Sequence, residues 1–358
     1  MKSSIGEGLI GVGVLGCGPI AQMGHLEAVV KAKNATLAAV CDVAPDLADE
    51  LGTRYAAGSV YSRYDDMLSD PAVELVLVAV DDALHVEYSM AAIKAQKHVL
   101  VEKPVGVSVQ RVLQLKQMVD AGTTLLQVGH MKRFDPALVY ARDFVRSQIG
   151  EIIAIRAWYC DSSLRYDMTD STLPILVTSP LAKDKPRPTN RGHYYLRAHG
   201  SHLVDLCQYL VGPFASLTAQ VVEKNQIYNW FVQGTLSNGS NAQLDLTVAI
   251  REDWSEGFVI YGTKGTVSGN IFNPWYHKTA EVSCYSEEAH GRFQPLDNKA
   301  NCFQLQIEAV SDCILNGIEQ RGTHVDEALT GLKTLIAIDQ SCLRGGMVNV
   351  AGVEGELM

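Results

Sequence analysis

Over the first third of the chain the apolar positions switch between two periods. Gly11–Leu15, Thr36–Cys41, Leu75–Val80, His98–Val101 and Leu125–Val128 are short apolar runs that read as buried strands. Between them, Ile20–Lys33, Pro45–Leu51, His85–Gln96 and Val109–Asp120 place their apolar residues at helical spacing. Strand, helix and strand repeated in this way predict right-handed crossovers and a parallel sheet with helices on both faces. After Pro136 the pattern changes. A helix over Pro136–Ser147 precedes "EIIAIRAWY", whose alternation opens a long strand. Residues 161–192, with Pro174, Pro180, Pro186 and Pro188, read as an irregular segment, and a loop that long is expected to be functional or an interaction arm.

A helix then follows from "AHGSHLVDLCQYLVG", with Leu203, Leu206 and Leu210 as its apolar stripe. The strands Ser216–Val222, Tyr228–Leu236, Asn241–Ile250, Phe258–Tyr261 and Thr266–Ile271 come without helices between them, which predicts an antiparallel sheet. "YGTKGTV" carries the glycine pair of a tight hairpin. Two helices close the chain, one striped by Phe303, Ile307, Val310 and Ile314, the other by Leu329, Leu332, Leu335, Ile336 and Leu343.

Length and charge narrow the classes. A chain of 358 residues suits two domains, and 47% hydrophobic against 20% charged residues is the balance of a soluble globular protein. A net charge of −10 argues against nucleic acid or an anionic membrane as partner. The eight cysteines form no C-x-x-C pair and sit mostly in apolar runs, so buried thiols in a reducing cytoplasm are expected. "MKSSIGEGLIGVGVLGC" imitates a lipoprotein signal, but Glu7 spoils its positive region and glycines break its short apolar stretch. No other run approaches the ~18 apolar residues of a membrane span. The expected location is cytoplasmic.

The same N-terminal residues fit another motif. "GVLGCGPIAQMGHLEAV" puts Gly16, Gly18 and Ala21 on the pattern G-x-G-x-x-G/A, after a strand and at the opening of a helix. The first glycine allows a tight turn and the second lets backbone approach a pyrophosphate. The small third residue lets the helix pack close to the strand, while the helix N-terminus offers N–H donors to the anion. Pro19 and Ile20 belong to the same cofactor-binding loop. Asp42 stands at the tip of the second strand, where a carboxylate accepts hydrogen bonds from the adenosine ribose and repels a 2′-phosphate. That favours NAD over NADP; an ordinary helix cap before "APDLADEL" is the other reading of Asp42.

Further along, "VLVEKPVGVS" places Glu102-Lys103-Pro104 at the carboxyl edge of the parallel sheet, where ligands bind. With the glycine loop, "VGHMKRFDP" and "AHGSHLVDL", this chain resembles the Gfo/Idh/MocA family over nearly its whole length. Those are sugar and cyclitol oxidoreductases that include glucose–fructose oxidoreductase and inositol dehydrogenases. The resemblance implies an α/β plus α+β fold: an N-terminal Rossmann domain with a doubly wound parallel sheet, then an open, mostly antiparallel sheet flanked by helices. It implies an NAD-binding domain over 1–130 and a substrate-binding and oligomerisation domain over 131–358, whose last helices return to the first domain.

By the same resemblance Lys103 touches substrate and nicotinamide ribose, and His202 is the acid/base. Asp81, His85 and Glu102 join the cofactor site, and His130, Tyr159 and His199 are candidate substrate contacts. There are departures. The first Asp of the family's D-x-G-x-H-x-x-D falls on Ala198, so one member of the usual Lys–Asp–His set is missing. The loop commonly reading T-P-N-x-x-H is Val80-Asp81-Asp82-Ala83-Leu84-His85, in which only the histidine matches. His130 stands where many members have Tyr or Phe.

The chemistry fits these residue types. Oxidising a secondary alcohol requires a hydride acceptor, a base for the hydroxyl proton and positive charge for the developing alkoxide. A histidine suits the proton at neutral pH and a lysine suits the oxygen. Asp205, three residues after His202, is a candidate to orient the imidazole. A metal site from His193, His199 and His202 has no Cys or second carboxylate to complete it, so no metal is expected.

The leading expectation is an NAD-dependent dehydrogenase acting on a ring secondary hydroxyl of a sugar, glycoside (possibly at C3) or cyclitol. The alternatives are an NAD-recycling glycoside hydrolase or lyase and a non-catalytic dinucleotide-binding protein. The expected assembly is a homodimer or homotetramer through the C-terminal sheet, since a broad apolar sheet face is otherwise a liability.

Overall fold

Residues 8–164, 173–182, 190–296 and 301–357 are described in the computed structural model. The described residues within Met1–Met131, Leu173–Pro188 and Phe303–Asp326 form one compact unit, and those within Lys132–Thr172, Thr189–Cys302 and Glu327–Met358 the other. Among the described residues no helix is long and apolar enough to cross a membrane.

The first unit is built on six parallel strands: β1 (Ile10–Leu15), β2 (Ala35–Cys41), β3 (Ser59–Tyr61), β4 (Leu75–Val78), β5 (His98–Val101) and β6 (Leu126–Val128). Their order in the sheet is β3-β2-β1-β4-β5-β6. The order reverses between β1 and β4, the switch point outside which open α/β sheets bind ligands. Every residue of β1 and β4 is buried, because helices cover both faces of a parallel sheet. The connecting helices are α1 (Leu26–Lys31), α2 (Pro45–Arg54), α3 (Tyr64–Leu68), α4 (His85–Lys94) and α5 (Val109–Ala121). Leu51, Leu100 and Leu115 beneath them are fully buried, each contributing about 2 kcal/mol of transfer free energy.

All five expected strands and three of the four expected helices appear within a few residues of the spacing that predicted them. The expected helix over Ile20–Lys33 is interrupted: Ala21–His25 forms a π turn before α1. Strand β3 and helix α3, three and five residues long, are too short to show a period.

The second unit opens with α6 (Pro136–Gln148), capped by Asp135, whose Oδ1 accepts from the amides of Ala137 and Leu138. Then comes β7 (Ile152–Ser162). The short helix α7 (Arg191–Tyr195), a π turn over Leu196–Gly200 and α8 (Ser201–Val211) follow one another directly. The strands β8 (Phe214–Lys224), β9 (Ile227–Leu236), β10 (Asn241–Ile250), β11 (Ser255–Gly262), β12 (Gly265–Ile271), β13 (Glu281–Ser286), β14 (Gly291–Phe293) and β15 (Val348–Asn349) complete a nine-stranded sheet ordered β14-β13-β12-β11-β7-β10-β9-β8-β15.

The sheet is mixed: β7 and β10 run parallel in its middle and all other pairs are antiparallel. A parallel pair needs a long connection, and α7, α8, β8 and β9 all lie between β7 and β10 along the chain. The expected hairpin is present, with Tyr261 opposite Thr266 and Thr263-Lys264 at its tip. The predicted stripe of α8 faces inward, with Leu203, Leu206 and Leu210 all buried. The two closing helices part: α9 (Cys302–Asn316) lies with the first unit from Phe303 onward, and α10 (Val325–Arg344) with the second from Glu327 onward.

Candidate active site

In the first unit the chain leaves β1 at Gly16, whose φ of +93° belongs to the region that favours glycine. A Cβ there would stand 2.5 Å from the carbonyl oxygen of Ala79, so the turn can pass the end of β4 only without a side chain. At Gly18 the situation is the reverse: a Cβ would meet nothing within 4 Å. The protein leaves that space open, which is the room a pyrophosphate needs against bare backbone. Cys17 lies buried between them, and burial, then the charges of Asp42 and Cys41, push its thiol up to about 12, so it offers no thiolate.

Asp42, at the end of β2, reaches back to this loop. Its Oδ2 accepts the Cys17 amide at 2.8 Å and its Oδ1 accepts the Ala44 amide at 2.9 Å. The cap position of α2 is Ala44, and no side chain caps it. Each carboxylate oxygen keeps further lone pairs for a ribose hydroxyl. The residues present therefore fit a dinucleotide: an open cradle at Gly18 and an acid fixed beside it. Pro19 is exposed and Ile20 half-exposed at the start of the helix.

Leu173–Ala182 also lies on this unit. The buried Gln22 carboxamide brackets Val177, donating to its carbonyl at 3.0 Å and accepting its amide at 2.8 Å, and also donates to the Cys17 carbonyl at 2.9 Å. Ser179 Oγ is 2.7 Å from both carboxylate oxygens of Asp46. Part of the irregular segment expected over 161–192 is thus an arm laid against the glycine loop and α2; residues 165–172 and 183–189 lie outside the description.

Lys103 follows β5, half-buried, with its amide donating to Glu102 Oε2 at 3.1 Å. Glu102 is buried, and its Oε1 stands 2.7 Å from Nε2 of the equally buried His25. Burial alone would raise the Glu102 carboxyl; the His25 hydrogen bond and the charges of His25, Lys103 and His85 outweigh it and hold it below its ordinary range. His85 is clamped between two backbone carbonyls, Nδ1 at 2.7 Å from Pro104 and Nε2 at 3.2 Å from Val80. Asp81 is exposed and accepts from the Ala83 amide. His130 is buried, with Nδ1 3.1 Å from Thr323 Oγ1.

In the second unit, His199 lies in the π turn and His202 in the first turn of α8. The helical run begins earlier than its stripe suggests, at Arg191, and a π turn inside a helix often marks a functional site. The His202 ring lies flat over Tyr159, 4° from parallel with centroids 5.9 Å apart. Tyr159, buried near the end of β7, points its hydroxyl at His199 Nδ1 across 3.4 Å. His199 Nε2 is 3.5 Å from Asp161 Oδ2. Lys132 Nζ lies 4.7 Å over the Tyr159 ring and 5.4 Å over Trp254, and pairs with Glu256 at 2.5 Å. Asp205 is engaged elsewhere: Arg133 grips it through Nε and Nη2 and holds Glu327 through Nη1. His193 pairs with Asp339 at 3.0 Å. Among the described residues no cluster of three or more His, Cys, Asp or Glu could hold a metal.

Two family profiles match the chain in tandem. The one described as an oxidoreductase family with an NAD-binding Rossmann fold covers residues 10–130, and the Gfo/Idh/MocA C-terminal domain covers residues 139–268. The chain belongs to the Gfo/Idh/MocA family.

Among curated relatives, an uncharacterised oxidoreductase of Rhizobium meliloti is 31% identical over 157 residues, 44% of this chain and 47% of its own length. The inositol 2-dehydrogenase of Salmonella paratyphi B is 27% identical over 161 residues, 44% of this chain and 46% of its own length. The match thus spans about half the length of these relatives. A solved structure of a scyllo-inositol dehydrogenase from Lactobacillus casei, with NAD(H) and scyllo-inositol, superposes with a TM-score of 0.74 at 21% identity, over 96% of this chain and 100% of that one. A putative NADPH-dependent oxidoreductase from Desulfitobacterium hafniense reaches 0.79 at 20% identity, over 97% and 99%. These likenesses show the shared fold.

Within this Gfo/Idh/MocA chain, sequence reasoning passed over His25, Lys132, Asp161, Trp254 and Glu256. His25 had a usable signal, since it stands one helical turn beyond Ala21 of the glycine motif. Lys132 lies inside the quoted "VGHMKRFDP". Asp161 and Glu256 had none, because each meets its partner only through strand pairing and packing.

Proposed function

We propose that this chain is an NAD-dependent dehydrogenase that oxidises a ring secondary hydroxyl of a sugar, glycoside or cyclitol. The observation that carries the reading is the Asp42 carboxylate fixed on the Cys17 amide beside the open cradle at Gly18. An acid at that place selects the ribose hydroxyls of NAD and repels the extra phosphate of NADP. The substrate class is supported by relatives named inositol 2-dehydrogenase, and by solved relatives that hold scyllo-inositol or levoglucosan together with NAD(H) or NADH.

When bound, NAD⁺ supplies the hydride acceptor. Lys103 stabilises negative charge on the substrate oxygen, and the His202 imidazole takes the hydroxyl proton. His85 acts through the backbone at Pro104 and Val80, whose carbonyl oxygens lie 2.7 and 3.2 Å from its ring nitrogens. Glu102 fixes the start of the Glu-Lys-Pro segment by accepting the Lys103 amide. Pro19, Ile20 and Asp81 border the cofactor, and His130, Tyr159 and His199 serve the substrate side. Two copies of the chain meet through the outward face of the nine-stranded sheet, where Val222, Phe231, Tyr261 and Tyr285 are exposed among polar neighbours.

The test is a panel of sugars, glycosides and inositols with added NAD⁺, read as NADH production. Turnover of at least one ring polyol supports the reading. NAD binding without NADH from any of them would make the chain a dinucleotide-binding protein, and glycoside cleavage without added NAD⁺ would make it an NAD-recycling enzyme.

A further inference from the structure

The chain lacks a carboxylate at position 198, directly before His199 in the π turn. Another carboxylate reaches the same imidazole from a different element. Asp161 comes from the end of β7, 38 positions earlier, and its Oδ2 stands 3.5 Å from His199 Nε2. On the other side of the ring, Nδ1 faces the Tyr159 hydroxyl at 3.4 Å. Tyr159 and Asp161 are two apart on one strand, so their side chains share a face of the sheet and flank the same imidazole. All three side chains are buried: Asp161 is 4% exposed, Tyr159 2% and His199 8%.

We propose that Asp161 takes over the work of the missing carboxylate, as a positioning residue acting through His199 and Tyr159. Asp161 accepts from Nε2–H, which leaves the Nδ1 lone pair to accept the Tyr159 hydroxyl proton. A neutral imidazole has one donor and one acceptor, so this arrangement selects the Nε2–H tautomer. Tyr159 is then fixed at its hydroxyl by His199. Its ring is enclosed by Trp254 at 4.8 Å, by the Lys132 ammonium and by the parallel ring of His202. The base lies against a plate whose orientation is set two steps away by Asp161. Lys132 pairs with Glu256 on the neighbouring strand, where Glu256 is in register with Tyr159.

The effect on catalysis rests on the dehydrogenase reading; the pairing itself does not. Imidazole ¹⁵N shifts of histidine-labelled protein, with His199 assigned from a His199→Gln variant, are expected to show the Nε2–H tautomer in the wild type. Asp161→Ala is expected to lose that preference. It should also lower kcat about 100-fold with KM within about twofold, and Asp161→Glu should recover part of the loss. Wild-type His199 in the Nδ1–H form, or an Asp161→Ala protein with the same tautomer and the same kcat, overturns the proposal. If Asp161→Ala does not fold, the wild-type tautomer and its change in Tyr159→Phe, which keeps the ring, decide the question. If no polyol is oxidised, the function is wrong, and the tautomer still reports whether Asp161 holds His199.

Discussion

The backbone N–H of Cys17 donates to the Asp42 carboxylate across 2.8 Å, tying the tip of β2 to the loop after β1. One side chain therefore has two jobs, holding the loop and presenting charge to the ribose. Two substitutions separate them. Asp42→Asn keeps an oxygen for the Cys17 amide and removes the charge, so the preference for NAD over NADP should narrow about tenfold, roughly 1.4 kcal/mol, while NAD affinity changes less. Asp42→Ala removes both and should weaken NAD binding as well. Titration of each variant with NADH and NADPH checks this, and an unchanged ratio in the asparagine variant would remove the charge from the account of specificity.

The two loop glycines predict opposite phenotypes. At Gly16 a Cβ would sit 2.5 Å from a backbone oxygen, on a residue at φ +93°. Gly16→Ala should cost about 1–3 kcal/mol of stability and damage NAD binding along with it. Gly18 has neither a positive φ nor a neighbour within 4 Å, so Gly18→Ala should melt like the wild type and yet bind NAD at least tenfold more weakly. Equal NAD affinity in Gly18→Ala would mean that nothing approaches the backbone there.

Much of this was legible before the structure. The placement of Gly16, Gly18 and Asp42 was readable because it depends on the order of an apolar run, glycines, a helix and a second apolar run. The strands β5 and β10 were readable to the residue, β5 as an apolar run and β10 by its alternation. The short strands β3, β14 and β15 carry too few residues to show alternation. The parallel pairing of β7 with β10 depends on a long crossover that periodicity does not see. Asp161 illustrates the limit most clearly. Nothing in "WYCDSS" distinguishes it from any strand-end aspartate until β7 is laid beside the π turn that carries His199. His25 and Glu102, 77 positions apart, meet for the same reason.

That second pair gives a stability prediction. His25 and Glu102 are both buried and bonded at 2.7 Å, so His25→Leu leaves a carboxylate without its partner and should cost about 3 kcal/mol in urea unfolding. Glu102→Gln, which keeps a hydrogen-bonding oxygen, should cost less. The pH dependence follows from the direction of the shift. The folded carboxyl lies below its ordinary range, so its contribution is full above the unfolded value of about 4.3 and is lost as pH falls through the folded value. The stability gap between wild type and Glu102→Gln should therefore be flat above about pH 5 and shrink as the solution is made more acidic. A gap that widens on acidification contradicts the assignment.

Lys103 and His202 carry the chemistry in the proposed reaction, and only His202 belongs to the unit without the dinucleotide loop, which makes its loss separable from loss of the cofactor. The loop that fits the dinucleotide is built from Gly16, Gly18 and Asp42 in the first unit. His202 is not a residue of that unit, so NADH should bind as before in His202→Ala while kcat falls by about 10²–10⁴, the usual range for removing a general base. Lys103→Ala should lower kcat to a similar extent by withdrawing positive charge from the developing alkoxide. Lys103→Arg tests whether charge alone suffices: its planar guanidinium stays protonated and spreads the charge over a wider group, so it should recover little. Stopped-flow hydride transfer in both directions reads the chemical step itself. A wild-type rate in His202→Ala would move the base elsewhere, with His199 the next candidate through its bond to Tyr159 and its partner Asp161.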